Sequence, residues 1–544
     1  MKHFFWVLLF SIQFADAQKI KKADKAIMAG LEQHIKYLAD DKLEGRRTGS
    51  AGEQLAYQYI SKQFEDAGFQ PKGTQGYLQP FEINDGREIK PVTHFTINDH
   101  ELKLHEEFFP LSFSPNISLD ASASLSLHEN ANPWFYDLKD LVESNKNNPH
   151  YDLQEGIKMM ASDAAKKGAN TLIIYNSSET DDALKFDPRY KGSQAAIPVL
   201  YISKTAQGKY LADETANLDL KLKIEIGDKK RAGHNVIAFV NKNATNTIII
   251  GAHYDHLGYG EDKNSLFTGK EPAIHNGADD NASGTSAVIE LGKMLKASRF
   301  KNNNYLLVAF SGEELGLFGS KYFTENPTID LGTVNYMINM DMIGRLKDST
   351  HGLNIGGYGT SPVWGELISK NDKYFQINLD SSGTGPSDHT SFYRKNIPVL
   401  FFFTGTHADY HKPGDDADKI NLPGELQVVK YIYNLVERSD KKGKLLFAKT
   451  REVQMNSNTS FKVTLGIMPD YTFAGPGVRV DGVSEGRIAQ KAGIKTGDII
   501  TALGENSFAD VYGYTEVLKK FNKGNAAKVK VKRGIEDLEF DIVF

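Results

Sequence analysis

Ile248-Ile249-Ile250-Gly251-Ala252-His253-Tyr254-Asp255 decides how this chain is read. Three β-branched residues in a row, after a polar Asn/Thr stretch, predict a short buried strand. His253 then stands at its carboxyl end, where open α/β sheets collect ligands and chemistry. Downstream lie Gly277-Ala-Asp-Asp-Asn-Ala-Ser-Gly284, Ser311-Gly-Glu-Glu314, Asn339-Met-Asp-Met342 and Asp409-Tyr-His411. Each adjoins an apolar segment and supplies a carboxylate or an imidazole. A lone histidine is usually structural and paired acids usually form a solvated face, but five ligand-type residues distributed over strand ends predict a metal centre. Such a His/Asp/Glu set without thiols suits zinc or a similar divalent ion, and a shared carboxylate can hold two ions about 3.5–4 Å apart.

The whole chain sets the limits. At 544 residues it is too long for one core, and 40% apolar with 11% aromatic residues exclude wholesale disorder. A net charge of -5 leaves no nucleic-acid footprint. Zero cysteines exclude disulfides, thiol catalysis and thiolate zinc sites. The start has Lys2 and His3, an apolar stretch Phe4–Phe14, and Ala15-Asp16-Ala17, a pattern that predicts a secretory signal spanning 1–17. The expected product is exported, periplasmic or secreted, with no stable membrane insertion, since no later segment is long and apolar enough to span a bilayer.

Outward from the metal motifs, the chain divides. Residues 18–94 open with two helical patterns, Ile27/Leu31/Ile35/Leu38 and Tyr57/Ile60/Phe64, separated by the loop Leu43–Ser50, which is either a helix connector or a rim of the active site. Residues 95–232 turn to short strands, with a helix-turn-strand unit from Ile157 to Tyr175 and the run Val199–Ile202. The metal-bearing part, 233–447, begins with an edge-like strand, Asn235–Val240. After the polar stretch Arg451–Ser460, a β-rich module fills 460–544 with Thr464-Leu-Gly-Ile467, Ala492-Gly-Ile-Lys-Thr-Gly-Asp-Ile-Ile500 and a helix from Tyr514 to Phe521.

The ordered set His-x-Asp, Gly-Ala-Asp-Asp-Asn-Ala-Ser-Gly, Glu-Glu, Asn-Met-Asp-Met-Ile-Gly and Tyr-His resembles the co-catalytic di-zinc aminopeptidases, the bacterial leucyl aminopeptidase and aminopeptidase Y type. The resemblance implies an α/β fold: a mixed-sheet zinc exopeptidase (phosphorylase/hydrolase-like) core. Residues 95–232 resemble a protease-associated insert through Ala164–Tyr175 and Ala196–Ile202, and 460–544 resemble a PDZ domain, a small β-barrel. By the same resemblance two Zn2+ ions would bind per chain, His253 and Asp341 holding one, Glu314 and His411 the other, and Asp280 bridging them. Asp255 would orient His253, Glu313 would be the general base and Tyr410 an oxyanion stabiliser, while Ser387-Asp388-His389 matches a motif with no catalytic duty.

The implied reaction is removal of N-terminal residues from peptides with a free N-terminus. Met342, Val399–Phe403 and Tyr410 are candidates for the wall that selects the first side chain, and loops such as Glu261–Ala273 for its cover. In the PDZ-like module, Leu465-Gly466-Ile467 would offer backbone N–H groups to a peptide C-terminus by strand addition. Alternatives on the same scaffold are a zinc carboxypeptidase or dipeptidase, a glutaminyl cyclase, or a non-catalytic peptide-binding protein. The full ligand set argues against a single-metal site, and Arg345 and Arg394 are too few for a carboxylate clamp.

Overall fold

The computed structural model describes residues 21–146, 148, 151–188, 190, 192–213, 215–262, 264–450, 463–470, 473, 475–483, 486–509 and 511–544. The expected signal at 1–17 and the polar stretch at 451–460 lie outside these residues. The chain forms two compact units, Met1–Pro80 with His234–Met455, and Phe81–Gly233 with Asn456–Phe544. The first therefore gives way to the second at 80/81, where the sequence reading set 94/95.

At the centre of the first unit are four parallel strands, β1 (Asn246–His253), β2 (Asn303–Phe310), β3 (Val334–Met340) and β4 (Val399–Phe403), adjacent in the order β2-β1-β3-β4. Ile248, Ile249 and Ile250 are wholly buried, because a central parallel strand is covered on both faces and so reads as an unbroken apolar run. The order reverses beside β1, which opens a crevice beyond the strands' carboxyl ends. Among the described residues the sheet has nine strands, and Ile226–Val240 pairs antiparallel with both β2 and Gln70–Pro71. The expected edge strand at Asn235–Val240 is thus an inner one: the two-residue strand that flanks it is too short to leave a periodic signal.

One face of the sheet is covered by α1 (Lys22–Leu38), α2 (Ala51–Asp66), α3 (Gly284–Ala297) and α4 (Leu422–Ser439). Leu31, Ile35 and Leu38 of α1 and Val428, Val429, Ile432, Leu435 and Val436 of α4 bury the stripes that their 3.6-residue spacing creates. The other face packs Ile249, Val308, Phe310, Met337 and Val399 against Phe323 and Phe392 from the short helices Phe318–Glu325 and His389–Tyr393.

In the second unit, residues 81–233 carry two four-stranded sheets. His100–Glu101, His94–Ile97, Asn217–Ile224 and Ile117–Ser124 are antiparallel neighbours. The second sheet runs Phe108–Pro110, Val199–Ile202, Thr171–Tyr175, Pro133–Asp137, fed by the helix Leu153–Lys166. Residues 463–544 form a separate core around Leu465, Val478, Ile500, Val529 and Val531, with Ile467–Pro469 the terminal strand of its sheet order and a helix at Val511–Leu518. No helix of the described residues is long and apolar enough to cross a membrane.

Candidate metal centre

Each predicted donor sits just past a carboxyl end of the parallel sheet. His253 is the last residue of β1, Glu313 and Glu314 follow β2, Asp341 follows β3, and His411 lies on the segment that leaves β4. Asp280 comes from the loop ahead of α3. That loop is held by Asp415, whose backbone carbonyl accepts from Ala278 and whose Oδ2 accepts the N–H groups of Asp279 and Asp280 at 3.0 Å each. Gly277 has φ +56, and a Cβ there would stand 2.1 Å from the Asp280 carbonyl, so only glycine permits the turn.

All five predicted ligands converge. His253 Nε2 lies 3.4 Å from Asp280 Oδ1 and 3.4 Å from Asp341 Oδ1. His411 Nε2 lies 3.4 Å from Asp280 Oδ2 and 3.3 Å from Glu314 Oε2. These separations decide what the cluster suits. Charge-assisted hydrogen bonds run about 2.7–2.9 Å, whereas two donors each about 2.0–2.1 Å from one tetrahedral ion stand about 3.3–3.4 Å apart. The four pairs have the spacing of donors that share an ion, and each pair includes one oxygen of Asp280 or a neighbour of it on the same imidazole. The donor set therefore fits divalent-cation binding.

The charge distribution agrees. Burial disfavours the imidazolium of His253, yet Glu313 and Asp341 outweigh it and hold that group well above its ordinary value. His411 behaves alike: burial pulls it down, but Glu314 and Asp280 raise it to about 11. Glu314 is raised by burial and more strongly lowered by its histidine neighbours, to about 2. A cluster that retains protons on both imidazoles carries excess negative charge, which a cation neutralises.

Glu313 differs from these ligands. Its Oε2 is 3.9 Å from His253 Nε2, outside the common spacing. Burial pushes its carboxyl well above the usual range, opposed by His253 and reinforced by Asp341 and Glu314. It is thus a group suited to accepting a proton. Asp255 accepts the Glu313 N–H at 3.2 Å through Oδ1 and the Thr48 hydroxyl at 2.9 Å through Oδ2. Its carboxylate stands 3.7 Å from His253 Nδ1, farther than its own backbone carbonyl at 3.2 Å. Burial raises it to about 7. Tyr410 stacks on His411 with ring centroids 3.9 Å apart, and burial next to the carboxylates pushes its phenol up, so the hydroxyl stays protonated and able to donate.

Of the remaining predicted residues, Met342 is buried, and Phe401 and Phe403 are half-buried at the end of β4. His389 stacks on Phe401 at 4.5 Å and burial lowers it to about 3. Ser387 accepts a hydrogen bond from Asn339. The 261–273 loop reaches the site: Asn264 O accepts from His411 Nδ1 at 2.9 Å, and Leu266 N–H donates to His411 O.

Three further contributors complete the site, two of which escape a motif reading. Arg46, from the Leu43–Ser50 loop, is wholly buried, and its guanidinium donates to the carbonyls of Leu38, Tyr254, Asn276 and Gly277, which ties β1's end to the Asp280 loop. Burial lowers it only to about 10, so it remains charged. The loop is therefore part of the site's frame. Asp415 carries no motif. His256 does sit in the legible run His253-Tyr-Asp-His256, and its Nδ1 is 2.7 Å from Glu314 Oε1.

Residues 235–436 match the model of peptidase family M28, and 452–543 match that of the PDZ domain. Residues 235–436 are thus similar to family M28 peptidase domains. Aminopeptidase YwaD of Bacillus subtilis is 26% identical over 319 residues, 55% of this chain and 63% of that protein. An aminopeptidase of Pseudomonas aeruginosa is 28% identical over 261 residues, 46% of this chain and 45% of its own length. The chain thus spans about half the length of the curated relatives it matches. Among solved structures, the aminopeptidase from Aneurinibacillus sp. strain AM-1 is 22% identical with a TM-score of 0.41, covering 80% of this chain and 98% of that one. The family M28 segment contains His253, Asp255, Asp280, Glu313, Glu314, Asp341, Tyr410 and His411.

Proposed function

We propose that the protein is an exported di-zinc aminopeptidase that releases N-terminal residues from peptides. The observation that carries the reading is the common 3.3–3.4 Å spacing of the four histidine–carboxylate pairs around the two oxygens of Asp280. His253 and Asp341 would hold one ion, Glu314 and His411 the other, and Asp280 both. Zinc in these positions supplies Lewis acidity towards a carbonyl and a water that is acidic near neutrality.

The protein's own groups do the rest. Glu313 takes the proton of the attacking water as its oxygen bonds to the scissile carbonyl carbon, then delivers it to the amine nitrogen as the C–N bond breaks. The raised affinity of Glu313 for a proton suits both halves of that transfer. Tyr410 donates its hydroxyl to the developing oxyanion, a contact worth roughly 3–4 kcal/mol. Asp255 holds the Glu313 backbone through its N–H. Anchoring a free amine at the same carboxylate-rich end favours exopeptidase action. A carboxypeptidase reading is weakened by Arg345, which is engaged by Asp409 at 3.0 Å and lies 3.7 Å from Asp415.

Export rests on the pattern of residues 1–17. Residues 95–232 are read as a protease-associated insert from their short strands and helix-turn-strand unit. Peptide C-terminus binding at 465–467 is supported by the terminal position of Ile467–Pro469 in its sheet order. The test is a paired assay of residues 18–544 on peptides with free and N-acetylated termini. Cleavage of the free peptides alone supports the proposal, and equal cleavage of both sinks the amine-anchoring step.

A further inference from the structure

His256 belongs to no part of the ligand set above, yet its side chain is wholly buried against it. A carboxylate only accepts, so the 2.7 Å contact with Glu314 Oε1 makes His256 Nδ1 the donor. That length is a hydrogen bond's, well short of the separation shown by the pairs that share an ion. The two oxygens of Glu314 are thereby divided: Oε1 is taken by His256, while Oε2 faces His411 Nε2 at 3.3 Å.

The ring is fixed from behind. A Cβ at Gly277 would come within 2.4 Å of its Cδ2 and 2.5 Å of its Cγ, so the Gly277 backbone lies directly against it. Its own backbone N–H donates to the Arg46 carbonyl at 3.3 Å, and the Arg46 guanidinium grips the carbonyl of Gly277 at 2.9 Å. The imidazole is wholly buried, and its Nε2 has no hydrogen-bond partner.

We propose that His256 is a positioning residue that confines Glu314 to metal binding through Oε2 alone. This rests on the two-zinc reading. Catalytic metal sites keep one position open for water or substrate. A glutamate free to close on the ion with both oxygens would fill that position, and the hydrogen bond from His256 prevents it. The role resembles that of partners that orient metal ligands from outside, whose loss typically costs about 10–100-fold in affinity.

The test is zinc titration of the metal-free chain by calorimetry, comparing wild type with His256→Leu and His256→Asn. Asparagine can place its amide N–H where Nδ1 stands; leucine keeps bulk without a donor. The expected result is that His256→Leu changes the affinity of one of two zinc sites by about 10–100-fold and leaves the other unchanged, while His256→Asn stays close to the wild-type value. Thermal melting of the metal-free variants checks that both are folded. An equal change in both variants overturns the proposal, because it would make His256 a ligand or a packing residue, and unchanged affinity in His256→Leu overturns it too. A wild-type chain that holds fewer than two zinc ions overturns the two-zinc reading itself, and this proposal with it, independently of either variant.

Discussion

At the amino ends of β2 and β3, Asn303 and Asn335 are as deeply buried as His253 and Asp280 are at the carboxyl ends, and Asp440 accompanies them. The two polar clusters differ in how far they satisfy themselves. Asn335 donates to Asn303 Oδ1 at 2.9 Å and to the Gly443 carbonyl, and accepts from Leu445 N–H. Asp440 accepts from Asn302 N–H, Asn302 Nδ2 and Asn303 Nδ2 at 3.0–3.2 Å. Neutral amides meet one carboxylate there, at hydrogen-bond lengths. At the carboxyl end, apart from the 2.7 Å bond from His256 to Glu314, Asp280, Glu313, Glu314 and Asp341 face the imidazoles of His253 and His411 at 3.3–3.9 Å, too long for good hydrogen bonds. Burial alone thus does not mark a site: the first cluster is closed and holds the sheet to the end of α4, whereas the second leaves its donors at the spacing that a shared cation would fill.

If this contrast is right, substitutions at the two ends break different properties. The largest effect expected is on turnover in Glu313→Gln, which keeps shape and hydrogen bonding but removes the base. Peptide hydrolysis should fall by about 10²–10⁴-fold with zinc content unchanged, measured by steady-state kinetics and metal analysis of one preparation. Tyr410→Phe should lower kcat by about 10²-fold with KM nearly constant, since the hydroxyl acts on charge that appears only in the transition state. At the opposite end, Asp440→Ala strands three donors and should cost about 1–3 kcal/mol in urea unfolding, while zinc affinity stays at the wild-type value.

The smallest effect concerns pH. In the metal-free protein burial holds Asp255 and Asp388 at about 7. An acid whose folded pKa lies above its unfolded value binds more protons folded than unfolded. Stability is then full below about pH 4 and is lost as pH rises towards 7. His411, raised to about 11, acts in the same direction above its unfolded value. The melting temperature of the chelated protein should therefore fall from about pH 5 to pH 8, and zinc should make that fall shallower. A flat profile in chelator would contradict the charge imbalance assigned to the cluster.

The clusters also differ in how legible they are. His253, Asp280, Glu313, Glu314 and Asp341 can be read because each lies beside an apolar run or a helix start, so element ends mark them locally, whereas His411, eight residues past the end of β4, is legible only through its Tyr-His motif. The Asn303–Asp440 bond joins residues 137 apart, neither within a motif, and only the folded sheet brings them together. Arg46 escapes for a related reason: its four carbonyl partners are backbone atoms, which no side-chain pattern reveals. The inner position of Asn235–Val240 leaves no periodic signal because the strand beside that end, Gln70–Pro71, has only two residues. His256 was within reach, three residues from His253, but the His-x-Asp spacing explained that segment without it.

The central claim is that Asp280 joins two ion positions, and anomalous diffraction from crystals grown with zinc tests it most directly. The account predicts two peaks, one among His253, Asp341 and Asp280, the other among His411, Glu314 and Asp280. A single peak, or an ion held by His256 in place of His411, would contradict it.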